Sequence, residues 1–211
     1  MELLIGPRRV STWSLRPWLV LKRAGAKFTT RDARYATEED RAELRKVSPS
    51  GFVPVLTVDG EQIWDSLAIC EWAAERYPGL WPAAATARAL ARSACSEMHS
   101  GFATMRNLCG TGPDRPLVEE GVRFKTPSDP ALTRDLDRVV ALLGQMRRRF
   151  GGDGDWLFGD WSIADAFYTP VAARFRLYQI DPADHGDAQG EVAAYLARLL
   201  DQPDYLEWSA G

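Results

Sequence analysis

The stretch Val10-Ser-Thr-Trp-Ser-Leu-Arg-Pro-Trp-Leu19 crowds three hydroxyls, Ser11, Thr12 and Ser14, ahead of an apolar run. Helix start signals place Ser11 to Ser14 at the N-terminal end of a helix. Free backbone N–H groups and the positive end of the dipole favour an anion there. A thiolate held at that point would also gain from a donated hydroxyl hydrogen bond. Each pKa unit of thiol acidification requires about 1.4 kcal/mol. One hydroxyl and one helix end supply roughly one to two such units. Taken alone, the same residues also read as an ordinary cap, with Ser14 capping and Ser11 in a loop.

Two further stretches carry possible chemistry. In Ser50-Gly-Phe-Val-Pro-Val-Leu56 a proline directly precedes an apolar strand pattern. A trans proline opening the strand is the commoner arrangement. A cis Val53-Pro54 bond would instead expose the N–H and C=O of Val53, and an extended peptide ligand could pair with them. In Trp64-Asp-Ser-Leu-Ala-Ile69, Ser66 and the first-turn amides form a helix N-terminus suited to a carboxylate. Asp65 beside them could pair with an ammonium. A simple N-cap is again the commoner role for such residues.

The elements that must position these residues follow from periodicity. Residues 2–5 and 28–32 read as strands, and the helical stripe Leu15, Trp18, Leu19, Leu21 stops at Gly25. Thr37-Glu-Glu-Asp40 opens a short helix through Lys46. Residues 55–58 and 61–64 flank Asp59-Gly60, a two-residue type I′ hairpin turn. A helix then runs from Asp65-Ser66 to about Tyr77 and stops at Pro78-Gly79. The order is βαβα, then ββα. From about Ala83 onward no strand pattern stands out, and helices are expected over roughly 86–108, 131–150, 163–177 and 190–200. The division is an α/β unit over 1–79 and an all-helical unit over 84–211.

Composition bounds the function. The 211 residues carry 26 Lys+Arg against 29 Asp+Glu, so no concentrated basic face points to nucleic acid. Arg147-Arg148-Arg149 reads as the C-terminal end of a helix. No segment reaches the roughly 20 apolar residues that span a bilayer, and membrane partners are not expected. Cys70, Cys95 and Cys109 are far apart, with no spacing that suits zinc, and no metal is expected. An odd cysteine count with no secretory leader pattern suits a reducing, cytoplasmic setting.

A candidate backbone clamp, carboxylate-and-amine pocket and thiolate site, in one βαβαββα half, resemble the cytosolic glutathione transferase family over the whole chain. The Val53-Pro54 pair is similar to that family's cis-proline. Asp65-Ser-Leu-Ala-Ile-Cys70 is similar to its segment for the γ-glutamyl group. Phe158 to Phe167 is similar to its C-terminal signature, in which Ser162 and Asp165 form a structural capping box. The resemblance implies a thioredoxin-like N-terminal domain, an all-helical C-terminal domain, glutathione as co-substrate and a homodimer. Serine-type classes place the hydroxyl five residues before a helix arginine, and Arg16 identifies Ser11, with Thr12 and Ser14 as rivals. Ser11-Thr-Trp-Ser-Leu-Arg16 is similar to the zeta-class pattern, a class that includes maleylacetoacetate isomerases. No cysteine stands at position 11, which argues against omega-type thiol-disulfide chemistry. The resemblance thus implies Ser11 as the thiolate donor and Trp13, Val53, Pro54, Asp65 and Ser66 around glutathione. The activity implied is addition of the glutathione thiolate to a small hydrophobic electrophile, with a zeta-like cis–trans isomerase or a non-catalytic binding module of the same fold as the alternatives. One departure is Phe52, where relatives carry Gln or Lys to grip the glycyl end; Lys46 or Arg45 could serve instead.

The second-substrate pocket is assigned to His99, Phe102 and Arg106, which share a face on one continuous helix, with Trp13 opposite. The same residues could equally be core between the halves. His99 lacks a carboxylate partner nearby in sequence. Cys70 is expected to pack inward, Cys109 to be more exposed at a helix end, and Trp156 and Trp161 to pack the turn at Gly159-Asp160.

Overall fold

A computed structural model describes residues 1–117 and 121–211. The N-terminal elements are β1 (Glu2–Ile5), α1 (Thr12–Arg23), β2 (Thr29–Asp32), α2 (Glu38–Val47), β3 (Val55–Val58), β4 (Glu61–Trp64) and α3 (Ser66–Arg76). They build a four-stranded mixed sheet in the order β2-β1-β3-β4, with β1 parallel to β2 and antiparallel to β3. Asp59 and Gly60 both adopt positive φ, 51° and 89°, as the type I′ turn between β3 and β4 requires. The helical half contains α4 (Ala85–Ser100), α5 (Ala103–Leu108), α6 (Pro130–Met146), α7 (Ile163–Leu177), α8 (Glu191–Asp201) and α9 (Pro203–Ala210).

Helix α1 is the hinge of the architecture. Leu15, Trp18, Leu19, Val20 and Leu21 are all buried, because the helix packs against α3 on one side and α7 on the other. A helix apolar on most of its circumference must be enclosed. One core therefore runs through both halves, from Leu3 and Ile5 to Trp208. A small satellite of Leu4, Ala33, Leu44 and Val55 lies under α2 on the other face of the sheet.

Three expectations need correction. The helix expected over 86–108 is two helices, broken where Phe102 takes a left-handed conformation at φ 55° and ψ 43°. A Cβ on Gly101 would come within 2.7 Å of the Glu97 carbonyl, so the chain can turn this tightly only with glycine there. Hydrophobic periodicity cannot register that break, because the apolar stripe continues across it. The helix expected to reach Phe150 ends at Met146 and continues as a π-helical turn over Arg147–Gly151. Arg147 there donates to the carbonyls of Gly154 and Trp156. Cys109 is fully buried rather than exposed, and burial pushes its thiol up to about 11. Cys70 packs inward as expected.

Helix α9 was not foreseen. Pro203 at its first position is a start signal that was present in the sequence. The helix buries Trp208, whose Nε1 donates to the Arg8 carbonyl at 2.8 Å and so ties the C-terminus to the loop before α1.

Candidate functional site

The three hydroxyls at the start of α1 have different fates. Ser14 is fully buried, and its Oγ accepts from the Gly6 N–H at 3.0 Å. Thr12 is buried at 5% exposure. Ser11 is the N-cap and is only half-buried. Its Oγ accepts from the Ser14 N–H at 3.3 Å and donates to Ser14 Oγ at 2.9 Å. A Cβ on Gly6 would fall 2.2 Å from the Tyr35 hydroxyl and 2.9 Å from Ser11 Oγ. Glycine at position 6 therefore leaves the space in which Ser11 sits.

Ser11 stands between two cavities. One, of about 700 Å³, runs past Tyr35, Leu44, Arg45 and Ser48 to Phe52 and Val53. The other, of about 290 Å³, lies toward the helical half between Arg16, Met98, Arg106 and Arg174. A third space of about 340 Å³ lies between Phe52, Val53, Pro54, Trp64, Asp65 and Ser66. Trp13 lines all three and is 37% exposed.

On the α3 side, the Val53-Pro54 peptide bond is cis. Among the described residues, the N–H and C=O of Val53 have no hydrogen-bond partner. Asp65 is the N-cap of α3 at φ 76°, and its Oδ1 accepts from the N–H groups of Leu67 and Ala68 at 2.8 and 3.3 Å. Ser66 follows, 1% exposed, with its Oγ unpartnered. An unsatisfied buried hydroxyl costs roughly 1–3 kcal/mol, which a ligand group placed against it would recover. Phe52 is 74% exposed. Arg45 is ion-paired with Glu38, and Lys46 with Glu43.

The helical half contributes unevenly. Arg106 lines the smaller cavity, and its Nη2 donates to the Met98 and His99 carbonyls, closing the end of α4. His99 lies outside that cavity. Its Nε2 is 3.2 Å from Asp65 Oδ2, and its ring meets Trp13 edge-on at 5.3 Å. The carboxylate partner absent from the nearby sequence is thus supplied across the cleft by α3's cap. Burial lowers the His99 pKa from its usual 6.5, against the opposing pull of Asp65. Phe102 lies in the core at the break between α4 and α5, so the three residues do not share one helical face.

Two arginines complete the smaller cavity without having been assigned to it. Arg16 served only as a marker for Ser11, and Arg174 was not singled out. Arg16 is 1% exposed, stacked 4.5 Å from the Trp13 ring and 4.8 Å from the Phe167 ring. Arg174 on α7 donates to the carbonyls of Cys109 and Pro170. Burial and then the neighbouring guanidiniums pull Arg16 down to about 9 and Arg174 to about 10. An arginine inside an otherwise apolar helix run, as in Val171-Ala-Ala-Arg-Phe175, was the available signal.

Among the described residues no cluster of His, Cys, Asp and Glu could hold a metal, and no helix is long and apolar enough to cross a membrane.

The family model for the glutathione S-transferase N-terminal domain matches residues 10–76, and that for the C-terminal domain matches residues 129–206. A probable maleylacetoacetate isomerase of Caenorhabditis elegans is 34% identical over 103 residues, 48% of this chain and 47% of that protein. The match spans about half the length of that curated relative. A sphingomonad glutathione S-transferase, solved in complex with glutathione, is 27% identical with a TM-score of 0.66, covering 100% of this chain and 98% of that one. A Burkholderia glutathione transferase homologue, solved with bound glutathione, shares the fold at TM-score 0.72 and 24% identity, covering 99% and 96% of the two chains. With both domain models matched in order on a thioredoxin-like sheet and an all-helical second half, the chain belongs to the cytosolic glutathione transferase superfamily.

Proposed function

We propose that this protein is a glutathione transferase that holds the glutathione thiol as a thiolate at Ser11 and adds it to an electrophile. The observation that carries the reading is the sorting of the hydroxyls. Thr12 and Ser14 are buried, whereas Ser11 caps α1 at the junction of two cavities. In this reading Ser11 turns its proton toward the sulfur. Ser14, anchored by Gly6, can then donate to Ser11 Oγ in place of accepting from it. The thiolate forms the S–C bond, and the electron pair displaced onto carbon takes a proton from solvent.

The α3 side would hold the peptide. Asp65 suits the ammonium of the γ-glutamyl group, and Ser66 Oγ with the first amides of α3 suits its carboxylate. The unpaired Val53 N–H and C=O suit the cysteinyl backbone, beside Pro54 and Trp13. The glycyl end has no cation free of a partner at Lys46 or Arg45, and exposed Phe52 offers it only an apolar ring. A homodimer in the cytoplasm, joined through the helical half around α4 and α6, belongs to the same proposal.

A second reading is a glutathione-dependent cis–trans isomerase of the maleylacetoacetate type, in which the thiolate adds and then leaves. The 34% identity to a probable maleylacetoacetate isomerase over 103 residues supports it. Titrating glutathione at neutral pH while following thiolate absorbance tests both readings. Wild type is expected to give a saturable signal, and Ser11→Ala to bind glutathione without it. Losing one hydrogen bond to a charged group should lower kcat/KM about 10- to 100-fold. No binding at millimolar glutathione would overturn both readings.

A further inference from the structure

The cavity of about 700 Å³ beside Ser11 also receives a hydroxyl from outside α1. Tyr35 stands in the loop between β2 and α2. Its ring packs on the satellite core of Leu4, Ala33, Leu44 and Val55, which holds the apolar body of the side chain. A Cβ on Gly6 would collide with both the Tyr35 hydroxyl and Ser11 Oγ, so the two oxygens crowd the same point at the end of β1.

The two hydroxyls differ in what they have left to donate. Ser11 Oγ accepts from the Ser14 N–H and donates to Ser14 Oγ. Elsewhere around the cavity, Ser48 donates to the Phe52 carbonyl, Ser50 accepts from the Phe52 N–H, and Arg41 and Arg45 pair with Glu38. The Tyr35 hydroxyl has no hydrogen-bond partner among the described residues. A phenol, with an ordinary pKa of about 10, is a stronger donor than an aliphatic hydroxyl. Burial pushes Tyr35 up to about 12, so it keeps its proton throughout the range in which a thiol titrates.

We propose that Tyr35 is a second catalytic hydroxyl, donating a hydrogen bond to the glutathione sulfur from the α2 side while Ser11 donates from the start of α1. The inference rests on the transferase reading above and adds to it a donor from another part of the fold. Val53, which suits the cysteinyl backbone, lines the same cavity as Ser11 and Tyr35, so a cysteinyl residue held there has its sulfur's space beside both hydroxyls. The thiol proton leaves to solvent, and Tyr35 keeps its own. Donors on the sulfur favour the anion over the thiol, because the anion is the stronger acceptor.

The pH dependence of the bound-thiolate absorbance, in wild type, Tyr35→Phe and Ser11→Ala at saturating glutathione, tests this. Tyr35→Phe is expected to raise the bound thiol pKa by about one unit. It should lower kcat/KM about 10-fold below the new pKa, and the deficit should close as pH rises through it. Affinity for S-methylglutathione, which has no ionisable thiol, should stay within about 2-fold of wild type. An equal loss of affinity for glutathione and S-methylglutathione would make Tyr35 a structural support and overturn the proposal. If Tyr35→Phe does not fold, fluorotyrosine incorporation, which strengthens the phenol as a donor, should lower the bound thiol pKa, and no change would overturn the proposal. A thiolate signal that depends on Ser11 but not on Tyr35 overturns this proposal alone. If wild type gives no thiolate signal, the transferase reading and this proposal fall together.

Discussion

The two walls of the cleft solve opposite electrostatic problems. The α3 wall is made of short-range features: a cap carboxylate that is partly committed to its own helix, one unpartnered hydroxyl, and a backbone step at Val53. The arginine wall concentrates charge from three elements distant in sequence, with no carboxylate among the described residues that line its cavity. The first wall resembles an ordinary helix N-terminus with small unmet hydrogen-bonding capacity. The second holds cations at a cost that only a rigid surround can sustain, since a looser structure would let water or a carboxylate in. Among the described residues, buried charge with unmet hydrogen-bonding capacity is therefore concentrated on the side facing the helical half.

The foundations of the two walls should differ most in stability. Helix α7, which carries Arg174, starts with a buried capping box. Asp165 accepts from the N–H groups of Leu157 and Ser162, the Ser162 hydroxyl and the Tyr195 hydroxyl. Helix α2, flanking the other side of the cleft, starts with the exposed box of Thr37 and Asp40. Asp165→Ala strands all four donors in the interior and should cost about 3–5 kcal/mol in denaturant unfolding. Asp40→Ala should cost only about 1 kcal/mol. Comparable losses for the two would show that burial does not distinguish the boxes.

Ser66→Ala gives the middle-sized effect. Its Oγ bonds nothing in the protein, so stability should move by less than about 0.5 kcal/mol. If the hydroxyl holds the ligand, KM for glutathione should rise about 3- to 10-fold with kcat unchanged, as loss of uniform binding requires. A fall in kcat with KM constant would move Ser66 from binding to chemistry. The contrast with Arg16 is sharp, because removing that side chain should relieve the folded state of an unpaired charge.

The smallest effect concerns His99, where the two walls touch through Asp65. Its pKa is lowered in the fold by burial. On acidification the unfolded chain takes up the proton first, so this group's contribution is complete above 6.5 and declines as pH falls toward the lowered value. His99→Gln should flatten that part of a melting-temperature profile. Asp165 shifts the opposite way, raised to about 6, but it is present in both proteins and cancels in the difference. An unchanged slope would mean that the contact with Asp65 offsets the effect of burial.

How much was legible follows from the range of each interaction. Strands, the hairpin turn and the start of α7 were readable because caps, Asp-Gly turns and apolar periods act within a few residues. The break at Gly101-Phe102 was not, since a close approach to the Glu97 carbonyl leaves no mark on hydrophobic periodicity. The π-helical end of α6 goes with contacts from Arg147 to the nearby Gly154 and Trp156 carbonyls, a turn that periodicity does not register, whereas the burial of Cys109 depends on α7, where Arg174 donates to its carbonyl.

Local signals suffice for the βαβαββα order, the helical second half, and the residue types gathered near Ser11, Val53-Pro54 and Asp65-Ser66. Those depend on local backbone preferences and on side-chain periodicity. Long-range packing sets the rest: Ser11 stays accessible while Thr12 and Ser14 are buried, His99 finds Asp65 across the cleft, and Arg16, Arg106 and Arg174 meet with no carboxylate among the described residues lining their cavity. Packing α1 between α3 and α7 brings these groups together, and no local signal encodes which distant side chains a buried helix will face.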